Sequence, residues 1–169
     1  MGDSSKDSAS VVILVDVSGS MADSDKMAHV RQASANLKRE CPGARVFAFS
    51  SEVVEVADLE SLPSPRGGTD MTTALKMAAS LMAGQCVVVS DGLPNNPETA
   101  MEAAATIPGV VSVYYIGSDR ERDAIAFMDR LARNNGGSCV TRKSKQVQFM
   151  PVVREFLSLP SPIAMGGNS

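Results

Sequence analysis

Residues 11–15 (VVILV) are five apolar residues in a row, and the run closes on Asp16. A continuous apolar run is the mark of a strand covered on both faces, as in a parallel sheet. Residues 86–89 (CVVV) repeat the pattern and close on Ser90-Asp91-Gly92, and residues 110–116 read as a further strand. Between these runs the period changes. Met27, Val30, Leu37 and Cys41 recur at helical spacing behind Asp23 and Asp25, acids suited to a helix start, and Cys41-Pro42-Gly43 ends that helix. Met71, Leu75, Ala78 and Met82 share one face of a helix predicted from about Thr72 to Ala83, with Gly84 as its stop. Asn96 before Pro97 predicts an N-cap and first turn for a helix reaching about Thr106. Ser118 and Glu121 fit a capping box ahead of Ile125, Met128 and Leu131, and Gly136-Gly137 closes that helix. A short strand over about 138–141 and a helix starting near Pro151 complete the pattern.

Residues 45–50 and 52–56 read as two strands separated by too few residues for a crossover, so they predict an antiparallel hairpin. Residues 57–68 are a loop carrying Pro63 and Pro65 and ending in Gly67-Gly68. Strands otherwise alternate with helices. The fold class is therefore α/β: a Rossmann-like, doubly wound, mostly parallel six-stranded sheet with one antiparallel edge strand and helices on both faces. The expected organisation is a disordered tail over 1–9, one domain over 10–158 and a flexible tail over 159–169.

A length of 169 residues suits one domain, and 44% hydrophobic with 21% charged residues is an ordinary globular composition. The net charge of −3 disfavours a nucleic-acid partner, which needs clustered Lys and Arg; Arg142, Lys143 and Lys145 form one short cluster that reads as a solvated turn. Three cysteines, Cys41, Cys86 and Cys139, make no disulfide framework. The polar start MGDSSKDSAS is not a signal peptide, and no apolar run approaches the ~20 residues of a membrane span. These features predict a soluble, cytoplasmic protein with no membrane partner.

Asp16, Ser18 and Ser20 alternate just past the first strand, and Asp91 closes the fourth. In doubly wound sheets ligands bind beyond the C-terminal strand ends, where strand order reverses. The usual order 3-2-1-4-5-6 sets strand 1 beside strand 4, which brings Asp16 and Asp91 to one crevice. Two carboxylates this close repel unless one is protonated or a cation lies between them. The hydroxyls add hard oxygen donors with no His or Cys among them, a set that favours Mg²⁺, with Mn²⁺ or Ca²⁺ as alternatives, over zinc.

The sequence resembles a known family at this point. Asp16-Val17-Ser18-Gly19-Ser20 is similar to the Asp-x-Ser-x-Ser motif of von Willebrand factor A domains. Gly67-Gly68-Thr69-Asp70 resembles the Thr-bearing loop of the same metal ion-dependent adhesion site, and Ser90-Asp91-Gly92 resembles its third part. The resemblance implies that Ser18, Ser20 and Thr69 contact an ion through hydroxyls, while Asp16 and Asp91 hold it largely through waters. It also implies a last ligand from a partner protein's Asp or Glu, and an adaptor role of the kind intracellular members play with AAA+ ATPases and multi-subunit complexes. Such a protein is a recognition module and not an enzyme. The alternatives are a Mg²⁺-dependent phosphohydrolase of the haloacid dehalogenase type, and a ribonucleoprotein-associated domain of the same fold. The hydrolase needs a second acid two residues after the first, where this chain has Ser18. His29, the one histidine, reads as a surface residue, so a Ser-His or Cys-His nucleophile has no base. Met21 and Met71 flank the site, as core residues or as lining of a contact surface.

Overall fold

The structure, a computed structural model, describes residues 10–141. Six strands, β1 (Val11–Asp16), β2 (Arg45–Phe49), β3 (Val53–Val56), β4 (Gln85–Ser90), β5 (Val110–Tyr115) and β6 (Gly136–Thr141), form one sheet in the order β3-β2-β1-β4-β5-β6. Every neighbouring pair is parallel except β2 and β3. The fold is thus the mostly parallel, Rossmann-like sheet that the apolar pattern predicts, with its antiparallel strand at the edge. Arg45 and Glu55 pin that edge hairpin with paired hydrogen bonds of 2.9 and 2.8 Å.

Alternation along the central strands divides the core between two faces. Val12, Leu14, Cys86, Val88, Val111, Val113 and Tyr115 point to one face, and Val11, Ile13, Val15, Val87, Val89, Tyr114 and Ile116 to the other. Four α-helices are described: α1 (Ser24–Glu40), α2 (Met71–Ser80), α3 (Pro97–Ala105) and α4 (Arg122–Arg133). Met27, Val30, Ala33 and Leu37 of α1 cover the second face, while α2, α3 and α4 cover the first. α3 buries only Ala100, Ala103 and Ala104, side chains small enough to let it lie close to α2, and the hydroxyls of Thr72 and Thr99 join the two helices at 2.8 Å.

The helix starts follow local chemistry. Asp23 caps α1 by accepting from the Asp25 N–H, and Asn96 caps α3 by accepting from the Thr99 N–H, with Pro97 in the first turn. The expected capping box at Ser118 does not form. α4 starts at Arg122, and the Ser118 hydroxyl oxygen instead accepts from the Arg120 N–H within a turn. The helix expected from Pro151, the basic cluster at 142–145, the tail expected over 159–169 and the end of the domain at 158 lie outside the described residues, as does the tail over 1–9.

Candidate metal centre

β1 and β4 are neighbours, with Val15 opposite Val89, so the chain segments leaving them diverge from one crevice. Asp16 has no exposed surface, Ser18 is 2% exposed and Asp91 5% exposed. One Asp16 oxygen accepts from the Ser18 N–H at 2.8 Å, and the other accepts from the Ser90 hydroxyl at 2.7 Å. The Ser20 hydroxyl lies 3.2 Å from the Ser18 hydroxyl and donates to Asp91 Oδ1 at 2.9 Å. Asp16, Ser18, Ser20 and Asp91 are therefore one connected group, although 71 residues separate Ser20 from Asp91. Burial pushes the Asp16 carboxyl above the ordinary carboxylate range, opposed by the hydrogen bonds from Ser18 and Ser90.

The loop carrying Thr69 is tied to this group through its backbone. The Gly19 N–H donates to the Gly67 carbonyl at 3.0 Å, and the Arg66 N–H to the Val17 carbonyl at 2.9 Å. Gly67 has φ +80°, a conformation that glycine adopts without strain. The Thr69 N–H donates to the Asn95 side chain at 3.0 Å, and the Asn95 N–H returns a bond to the Thr69 carbonyl at 2.8 Å. Asp70 is committed elsewhere: its carboxylate caps α2 by accepting from the N–H and the hydroxyl of Thr73. The loop bearing Thr69 thus lies against both segments that carry the other four residues.

Three further residues serve this crevice. Ser90 anchors Asp16 as described. Gly117 lies where a Cβ would collide with the Asp91 carbonyl and the Tyr115 hydroxyl. Lys26, in the first turn of α1, donates to Asp91 Oδ2 at 2.7 Å and to the Ser20 carbonyl at 3.0 Å. A signal for Lys26 exists in the sequence: a cation in a helix's first turn opposes the helix dipole and calls for a nearby anion. Met21 and Met71 are fully buried, which corrects the idea that they line a contact surface; Leu93, just past Asp91, is the large apolar residue exposed there. His29 is half-exposed, with Nδ1 2.9 Å from the Asp25 carbonyl oxygen.

The donor set suits a hard divalent cation. Two carboxylates and two hydroxyls converge, and the Ser20 proton is directed at Asp91, which leaves that oxygen's lone pairs for an ion. Among the described residues no group of three or more His, Cys, Asp or Glu side chains is placed to hold a metal, so any ion here depends on the hydroxyls.

The family model for VWA domain containing CoxE-like protein matches residues 3–106. The chain belongs to this family. That stretch carries all three segments of the crevice, Asp16 to Ser20, Gly67 to Thr69 and Ser90 to Gly92. No curated protein sequence matches the chain. Among solved structures, von Willebrand factor type A from Catenulispora acidiphila aligns with a TM-score of 0.71 at 18% identity, over 88% of this chain and 41% of that one. The chain therefore spans about two fifths of the length of that relative. The manganese-loaded Plasmodium vivax TRAP protein aligns at 0.65 with 17% identity, over 89% of this chain and 74% of that one. The human COPII-coat protein Sec24c aligns at 0.56 with 10% identity, over 87% of this chain and 32% of that one. At these identities the likeness is one of fold. VWA domains as a family are protein-interaction modules. No helix among the described residues is long and apolar enough to cross a membrane.

Proposed function

We propose that this VWA domain is a metal-dependent protein-interaction module, an adaptor that binds an acidic side chain of a partner through a divalent cation. The observation that carries the reading is the joining of Asp16, Ser18, Ser20 and Asp91 by hydrogen bonds across two adjacent strand ends. Ser18, Ser20 and Thr69 would hold the ion through hydroxyls, with Asp16 and Asp91 supplying its counter-charge, which completes a metal ion-dependent adhesion site. Mg²⁺ is the expected ion, with Mn²⁺ and Ca²⁺ as alternatives; the manganese-loaded state of the similarly folded TRAP protein supports a divalent ion. When bound, the ion supplies an electrophilic position for an outside oxygen ligand. The chain's own part is to hold the hydroxyls in place, to fix the Asp16 carboxylate by hydrogen bonds from Ser18 and Ser90, and to present the crevice at the strand ends.

The phosphohydrolase alternative is not favoured. Its general acid would have to be Ser18, whose N–H instead donates to Asp16 and which has no acidic proton at neutral pH. The partner class fitting this reading is an acidic protein surface, such as a subunit of an AAA+ ATPase assembly or another multi-subunit complex, and the setting is cytoplasmic.

The test is affinity capture on immobilised domain in Mg²⁺ and in EDTA, with wild-type protein and with Thr69→Ala. A partner captured only in Mg²⁺ by wild type, and lost in Thr69→Ala while the melting temperature barely changes, is the expected result. Capture that ignores both EDTA and the substitution contradicts metal-dependent recognition.

A further inference from the structure

Asp91 uses its two oxygens for two purposes. Oδ1 accepts the Ser20 hydroxyl at 2.9 Å, on the side of the hydroxyl cluster, while Oδ2 accepts the Lys26 ammonium at 2.7 Å. The side chain of Asp91 is 3% exposed and that of Lys26 is 23% exposed, so this ion pair is mostly shielded from solvent. Lys26 is also fixed to the hydroxyl loop through the Ser20 carbonyl. It therefore need not leave Asp91 for the oxygens of Ser18, Ser20 and Asp91 Oδ1 to face an ion.

Lys26 changes the charge of the centre. Two carboxylates alone would neutralise a divalent ion. With the ammonium counted, the three side chains carry one net negative charge, and the loaded centre carries one net positive charge. Neutrality then requires one more anion from outside. Charges a few ångströms apart in a partly desolvated site interact strongly enough for this difference to govern occupancy.

We propose that Lys26 couples the metal to its partner: by holding Asp91 it weakens retention of the bare ion and strengthens retention of the ion together with a carboxylate ligand. This rests on the metal-binding reading above. In the metal-free protein the same ammonium serves as the resident counter-cation of Asp91.

The test measures Mn²⁺ binding by calorimetry in sodium chloride and in sodium acetate at equal ionic strength. Acetate is the carboxylate probe, and its own weak Mn²⁺ complexation is subtracted from a protein-free control. Wild-type protein should gain affinity for Mn²⁺ in acetate. Lys26→Met should bind Mn²⁺ roughly tenfold more tightly than wild type in chloride and gain less from acetate. Lys26→Arg, which keeps the charge, should follow wild type, and circular dichroism should show all three folded. The proposal is overturned if Lys26→Met binds Mn²⁺ no more tightly than wild type, if acetate helps both equally, or if Lys26→Arg behaves as Lys26→Met does. Failure of every protein to bind Mn²⁺ overturns the metal-binding reading itself, and this proposal with it.

Discussion

Asp16 is a carboxylate with no exposed surface, and it accepts hydrogen bonds at both oxygens. Burial makes its charged form expensive, and nearby Asp91 adds like charge. Such a group is a cost to the metal-free fold, which a cation bound at the proposed centre would offset. Asp16→Asn leaves an oxygen for the Ser18 N–H, and the Ser90 hydroxyl can turn to accept from the new amide. The variant should be more stable than wild type in EDTA by about 1 kcal/mol, a rise of roughly 2–4 °C for a domain of this size. It should also lose any stabilisation by Mn²⁺. A thermal melt of both proteins in EDTA checks the first part, and a drop in the metal-free melting temperature would show that the charge of Asp16 supports the fold directly.

At the scale of elements, the strand ends set the site and the turns after them hold it in shape. Tyr115 ends β5, and its hydroxyl donates to the Ser118 carbonyl at 2.8 Å, bracing the turn that carries Gly117 against the Asp91 backbone. Burial, with smaller contributions from Glu121 and Asp91, pushes its pKa up from 10.0 to about 12. The folded state therefore keeps the phenol proton after the unfolded chain has lost it. This stabilisation is complete below pH 10 and is lost as the pH rises toward 12. Tyr115→Phe should flatten that part of the decline, read as urea midpoints across the alkaline range. A decline of equal slope in the variant would assign it to other groups.

The elements also show what was legible in the residues alone. β1 and β4 were readable because a strand covered on both faces must be apolar at every position, and α3 because Asn96-Pro97 has one good use. α4 starts later than the Ser118–Glu121 spacing predicts because Ser118 has a second local partner, the Arg120 N–H, which spacing does not reveal. Asp16 and Asp91 could be set in one crevice from topology. Lys26 could not be paired with Asp91, since that contact depends on how α1 leaves the 3-10 turn over Gly19–Ala22.

In the whole molecule the core and the crevice are separable. Two apolar layers flank the sheet, and the crevice residues lie at the C-terminal ends of its strands, so the fold is expected to form without an ion. An ion bound only by the native state adds stability, by ~2.7 kcal/mol at a hundredfold excess over its dissociation constant. The most direct test of the central claim is a calorimetric titration of Mn²⁺ into wild type and into a Ser18→Ala, Ser20→Ala double variant, with circular dichroism recorded on each. One ion bound per wild-type chain, and none by an equally folded variant, is the predicted result. Absence of binding to wild type, or undiminished binding to the double variant, contradicts a metal centre built on these hydroxyls.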